Sequence, residues 1–164
     1  MLFTTSEETQ IFCLRLSVDE DGVQSAGAAV PIMDLAKVCI DFNDGEEIIG
    51  GLVSALKWDP KGERLAVSFK ESNFIALFVT RVSVNGINLS PIGFVQGEHG
   101  QEPSCMEFTK NFSNGALLSI VWSDGRFQYF PMLFVPNSDK NGLLAVNSPG
   151  NVEFHPKIFS SPAQ

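Results

Sequence analysis

The run Phe74-Ile75-Ala76-Leu77-Phe78-Val79 is apolar at every position. In an extended chain, successive side chains point to opposite faces. Ile75, Leu77 and Val79 therefore line one face of a strand ending at Thr80, and Phe74, Ala76 and Phe78 line the other. A strand apolar on both faces must be covered on both sides. The residues before it form a hairpin: strand Val53 to Trp58, turn Asp59-Pro60-Lys61-Gly62, strand Arg64 to Phe69. Pro60 pre-sets φ for the turn, Asp59 caps its own backbone, and Gly62 closes the turn without a Cβ penalty. Leu56 and Trp58 share a face. Leu65, Val67 and Phe69 point one way, and the small Ala66 and Ser68 the other. One hairpin cannot cover both faces of its neighbour. The stretch 53–80 therefore demands sheets stacked above and below it.

The pattern recurs. Met106 and Phe108 stand where Leu56 and Trp58 stood, fifty residues on in each case (106 − 56, 108 − 58). The turn Asn111-Phe112-Ser113-Asn114-Gly115 replaces Asp59 to Gly62. Gly115-Ala116-Leu117-Leu118-Ser119-Ile120 then repeats Gly62-Glu63-Arg64-Leu65-Ala66-Val67. Ser123-Asp124-Gly125 is a tight hairpin turn leading into a strand, Arg126 to Phe130. A repeat of about fifty residues, with about four short strands per unit, is the signature of a β-propeller blade.

Upstream, Met1 to Thr5, Gln10 to Leu16 and Lys37 to Phe42 are strand candidates, and Ser17 to Ala28 is expected to be a long loop. They supply the last three strands of an earlier blade. Downstream of Thr80, a loop over Asn85 to Asn88 precedes a strand near Pro91 to Gln96. In the final blade the fourth strand is either Met132 to Val135 or a segment supplied from a missing N-terminal part. The fold class is thus all-β: a partial WD40-type propeller of about three four-stranded blades, the first incomplete, over residues 1–135. Residues 136–164, rich in Asn, Ser, Pro and Gly, are expected to be a mostly disordered tail, with one apolar patch at Val152 to Phe159. Propellers close with about 4–8 blades, so the chain is expected to be part of a longer parent or a truncated form of it. Alone it would expose sheet edges and blade faces.

Composition narrows the function. The 164 residues carry a net charge of −8, with acids grouped at Asp19-Glu20-Asp21 and at Asp41, Asp44, Glu46 and Glu47. Phosphate-backbone binding needs the opposite sign, so direct nucleic-acid binding is discounted. No apolar run approaches the roughly 20 residues that cross a bilayer. Cys13, Cys39 and Cys105 are odd in number and widely spaced, which fits a reducing compartment and no disulfide framework. All three fall in strands and read as buried, apolar-like cysteines.

Nothing assembles into a reaction centre. His99 sits in a Gly-rich connector and His155 in the tail, neither with a second ligand at metal spacing. No nucleophile elbow, P-loop or dinucleotide fingerprint occurs. Asp59 and the Ser123-Asp124 pair are explained by their turns, and Trp58 by packing between blades. No catalytic, cofactor or metal residues are assigned. The expected role is a non-enzymatic scaffold that binds other proteins.

Three segments resemble the C-terminal blades of the aladin family of WD-repeat nucleoporins: Trp58-Asp59-Pro60-Lys61-Gly62-Glu63-Arg64-Leu65-Ala66-Val67, then Ile92-Gly93-Phe94-Val95-Gln96-Gly97-Glu98, then Gly115-Ala116-Leu117-Leu118-Ser119 followed by Trp122-Ser123. The first is generic for WD repeats; the order and spacing of all three are not. The resemblance covers about Met1 to Val135. It implies a component of the nuclear pore complex, held at the nuclear envelope by an integral-membrane nucleoporin and supporting nucleocytoplasmic transport, with further places in the cytoplasm and at mitotic spindles. It carries over no catalytic or ligand residues. The alternative is a WD-repeat adaptor in another complex, such as a ubiquitin-ligase substrate receptor.

Overall fold

The computed structural model describes residues 1–18, 21–22, 24–42, 45–83, 86–113, 115–134 and 143–145. Among them the regular elements are β-strands, paired antiparallel into four separate sheets, none closed on itself. β1 (Leu2–Phe3), β2 (Gln10–Val18) and β3 (Gln24–Asp34) make a three-stranded sheet. β4 (Val38–Phe42) and β5 (Gly45–Ile49) make a separate hairpin. β6 (Val53–Trp58), β7 (Arg64–Phe69), β8 (Phe74–Ser83) and β9 (Gly86–Gln96) form a four-stranded sheet in chain order. β10 (Pro103–Phe108), β11 (Gly115–Trp122), β12 (Phe127–Phe134) and β13 (Leu143–Ala145) repeat that order.

The β6–β9 sheet is covered on both faces, as the composition of β8 requires. Leu65, Val67, Phe69, Phe74, Ala76 and Phe78 pack with Ile11, Met33, Leu35 and Ile49 from the preceding elements. Ala66, Ile75, Leu77 and Val95, on the opposite face, pack against Met106, Phe108, Leu118, Ile120, Trp122 and Phe130. Each of the larger of these side chains, taken fully out of water, is worth about 1.5–3 kcal/mol, so the two faces of this one sheet hold the stack together.

The repeat holds at the level of register. Trp58 pairs with Leu65 and Leu56 with Val67; Phe108 pairs with Leu118 and Met106 with Ile120. The triplet Leu65, Val67, Phe69 thus corresponds to Leu118, Ile120, Trp122, and every one of these six is buried. Trp58 itself is half-buried against the first cluster, and its indole N–H donates to Thr80 Oγ1 at 3.1 Å.

Asp59 is buried and belongs to its turn. Its Oδ1 accepts from the backbone N–H of Glu63 at 2.6 Å and of Arg64 at 2.8 Å, and its Oδ2 from that of Lys61 at 3.4 Å. Asp59→Ala leaves those donors without the carboxylate, and a lost buried partner costs about 1–3 kcal/mol. The expected result is a lower urea midpoint with an unchanged slope. Asp59→Asn keeps one acceptor oxygen and recovers part of the loss.

Several boundaries differ from the sequence reading. Ser17 to Ala28 is no long loop: Val18 pairs with Gln24, and the chain returns along β3. The third strand of the first sheet is therefore β3. Lys37 to Phe42 instead supplies β4, whose partner is β5 in a hairpin of its own. Ser83 pairs with Gly86 and Arg81 with Asn88, so of the loop expected over Asn85 to Asn88 residues 86–88 belong to β9, which begins early, and Asn85 lies outside the described residues. The fourth strand of the last sheet is neither Met132 to Val135 nor an upstream segment. Met132 to Phe134 belong to β12, and Leu143–Ala145 pairs with them as β13. The rest of the expected tail, with its patch at Val152 to Phe159 and His155, lies outside the described residues.

Candidate protein-interaction face

Among the described residues, no sheet packs on the outer face of the last sheet. In the β6–β9 sheet, Ile75 lies opposite Ser68 and Leu77 opposite Ala66, and the following sheet buries both. In the last sheet, Phe127 lies opposite Val121 and Tyr129 opposite Ser119. Residues 121 and 119 follow 68 and 66 by the same fifty-three positions (121 − 68, 119 − 66). Phe127 and Tyr129 thus occupy the register positions of Ile75 and Leu77, yet they are 67% and 61% exposed. Leu117 opposite Pro131, both half-buried, extends the face along the strands. The edge strand β10 adds the exposed Cys105 and Glu107, opposite Val121 and Ser119.

The sheet under this face is anchored at one end by a polar knot. Gln101, buried, accepts from the Glu98 N–H at 3.0 Å and from Arg126 Nη2 at 2.6 Å through Oε1, and donates through Nε2 to Asp124 Oδ2 at 2.6 Å. Arg126 also pairs with Glu98 at 2.9 Å, and the Asp124 carboxylate accepts from the Arg126 N–H. The connector Gly97 to Glu102 is thereby tied to the β11–β12 turn. Beside it lies an open cleft of roughly 300 Å³ lined by Glu47, Glu71, Ser72, Asn73, His99 and Glu102, among others. Its carboxylates make it acidic. Among the described residues, no group of three His, Cys, Asp or Glu side chains is gathered closely enough to hold a metal ion.

The residues weighed for chemistry are dispersed. Asp59 is in its turn between β6 and β7, Ser123-Asp124 in the β11–β12 turn, and His99 in the cleft. Only Cys13 is buried; Cys39 and Cys105 are exposed. Burial of all three was the expectation from their place in strands. It fails because Cys39 sits on the two-stranded β4–β5 hairpin and Cys105 on the uncovered outer face. The Cys39 thiol is pushed above its ordinary pKa, first by local desolvation and then by the carboxylates of Glu46, with Sγ to Oε2 at 3.6 Å, and Asp41. Lys57 is likewise held protonated by its hydrogen bond to Glu107, a 2.6 Å ion pair linking β6 to β10 across neighbouring sheets.

No described helix is long and apolar enough to cross a membrane. No protein-family model matches the chain. Aladin of Arabidopsis thaliana is 36% identical to it over 89 residues, which is 50% of this chain and 20% of that protein. Half of the chain is therefore aladin-like, and the chain spans about 20% of the length of that relative.

Proposed function

We propose that this chain supplies the C-terminal blades of an aladin-like WD-repeat β-propeller, with the blades over residues 1–135 completed by β13 and the rest of residues 136–164 a tail. Its role is that of a non-enzymatic scaffold: it holds other proteins at the nuclear pore complex in support of nucleocytoplasmic transport. Its partners are other pore components, among them an integral-membrane nucleoporin at the nuclear envelope. The observation that carries the reading is the repeated register, which leaves Phe127 and Tyr129 where Ile75 and Leu77 are covered by a following sheet. A further blade fits that face as the last sheet fits the central one. The similarity to aladin supports the place in the cell.

Imaging the fluorescently tagged full-length protein tests this. A signal at the nuclear rim is expected, and a diffuse cytoplasmic signal would sink the pore reading in favour of another complex. Phe127→Ser combined with Tyr129→Ser is expected to abolish the rim signal, because the next blade loses its seat. In the isolated chain the same pair lies at an exposed surface, so its stability is expected to change by no more than about 0.5 kcal/mol per site. A rim signal that survives the double substitution would separate pore targeting from ring closure.

A further inference from the structure

The run Val152-Glu153-Phe154-His155-Pro156-Lys157-Ile158 alternates apolar and polar residues without a break. In an extended chain Val152, Phe154, Pro156 and Ile158 fall on one side, and Glu153, His155 and Lys157 on the other. The run lies outside the described residues. An apolar side of this length calls for an apolar surface to lie on. A sheet edge suits it less, because Pro156, in the middle, has no N–H to give to a ladder. Contact through the side chains needs none.

The open face of the last sheet is such a surface, and it is within reach. Phe127, Tyr129 and Pro131 recur along β12 at the same spacing of two residues, flanked by Leu117 and Val121 of β11. The one charge beside them, Glu107, is tied to Lys57. β13, the edge strand of this sheet, ends at Ala145, seven chain steps before Val152 (152 − 145). Fully extended, those steps span about 23–25 Å. The sheet measures only about 14 Å from β13 to β10, three strand spacings. Phe3, Phe12 and Leu16 of the first sheet also lie outside both packed clusters, but the central sheet stands between them and the sheet that carries β13. A tether that spans its sites holds the segment at an effective concentration of about 1 mM. A free protein or a second copy of the chain must exceed that to take its place.

We infer, resting on the reading of this face as a blade seat, that residues 152–158 form an intramolecular strap. The apolar side of the segment lies over Phe127 and Tyr129 and keeps the face covered while no further blade is seated there. Strap and blade exclude one another, so the strap acts as an autoinhibitory contact and shields an apolar patch that would otherwise promote association.

Cys105 reports on the strap, because it lies in one cross-strand row with Val121 and Phe127. Cys39, exposed on the β4–β5 hairpin, is the control. Limited iodoacetamide labelling of the full chain, read by mass spectrometry of the two cysteine peptides, gives the Cys105 rate relative to that of Cys39. Phe154→Ser with Ile158→Ser is expected to raise this ratio about threefold or more, as a tether of about 1 mM does for a contact of sub-millimolar affinity. His155→Ser with Lys157→Ser, on the polar side, is expected to leave it unchanged. Phe127→Ser with Tyr129→Ser removes the seat and is expected to raise the ratio as well, with no further rise when the two apolar pairs are combined. The melting temperature of each variant should stay within about 4 °C of the parent's, which reads the fold separately from the strap. An unchanged ratio in Phe154→Ser with Ile158→Ser, an equal rise from the polar-side pair, additive rises from the two apolar pairs, or protection that grows with protein concentration, the mark of a second copy, would each overturn the strap. The nuclear-rim signal needs no strap, so these outcomes leave the pore reading where it stands.

Discussion

Trp122→Ala is expected to be among the most destabilising substitutions in the chain, at about 3–5 kcal/mol. Trp122 is 1% exposed at the end of β11, at the position Phe69 holds in the preceding sheet. Its indole N–H donates to Gln128 Oε1 at 2.9 Å. The connector passes directly over its ring: a Cβ built on Gly97 would lie 2.5 Å from Cζ3. Truncation therefore opens a cavity between two sheets, leaves the Gln128 amide without its donor and removes the floor of the Gly97 connector. Domains are stable by only about 5–15 kcal/mol, so the loss is a large fraction of the whole. At about 2–4 °C per kcal/mol for this size, calorimetry should show a melting temperature lower by roughly 6–20 °C. Trp58→Ala is the internal comparison. Trp58 is half-buried and its N–H partner is the hydroxyl of Thr80, which itself donates to the Gly62 carbonyl. Its cost is expected to be clearly smaller. Equal losses at the two sites would mean that the stack does not distinguish its inner tryptophan from its rim one.

The contrast between the two tryptophans shows what the sequence revealed and what it withheld. Both lie in strands of one repeat, and alternation assigns each to a face. It does not say how deep in the sheet each position lies. Depth came from register: Trp58 pairs with Leu65 near the β6–β7 turn, whereas Trp122 aligns with Phe69, under the connector that leads from one sheet to the next. The central sheet was legible because β8 is apolar on both faces and the next unit repeats its partners. β3 was not legible because Ser25-Ala26-Gly27-Ala28-Ala29 has low strand propensity and no alternation; these residues are exposed, and only Ile32 and Met33 near the end of the strand reach the core. β5 was obscured by Glu46, exposed, and Glu47, half-buried, carboxylates that break the apolar pattern of a strand whose core anchor is Ile49. β13 is three residues long, shorter than any period that could announce it.

The candidate face was legible only in part, for a related reason. Phe127, Tyr129 and their neighbours read as an ordinary strand, since periodicity marks an apolar face whether or not anything covers it. Cys105 was expected to be buried on the same logic, and it is exposed because no described sheet packs on its face. Absence of cover is a property of the stack, and no local pattern encodes it. The turn residues are the opposite case. Asp59, Gly62 and the Ser123-Asp124-Gly125 turn were assigned from composition alone. The bonds that close each turn, between the Asp59 carboxylate and its own loop, from Gly62 to Asp59 and from Gly125 to Trp122, span five residues or fewer, so short-range geometry was enough; the ties from Ser123 and Asp124 to Glu102 and Gln101 are long-range and were not foreseen.

Gly115→Ala is expected to be comparably severe, through the backbone rather than through a cavity. Gly115 opens β11 at φ +156° and pairs with Leu133 of β12. A Cβ there would lie 1.9 Å from the Met132 carbonyl oxygen and 3.1 Å from the Leu133 Cα. Both are main-chain atoms inside the β11–β12 ladder, so relief requires prising apart the strands that carry Leu118, Ile120 and Phe130 into the core. Backbone strain of about 1–3 kcal/mol adds to an overpacking cost of about 1–3 kcal/mol, giving a loss of about 3 kcal/mol or more. Gly125→Ala isolates the collision. Gly125 also has a positive φ, +87°, but its added Cβ meets nothing within 4 Å, so only the left-handed strain of about 1–2 kcal/mol remains. In urea, both variants should lower the midpoint without changing the slope, Gly115→Ala by about twice as much as Gly125→Ala. Matching midpoints would show that the start of β11 yields freely, and would remove the close approach of β12 as the reason a glycine stands at the head of that strand.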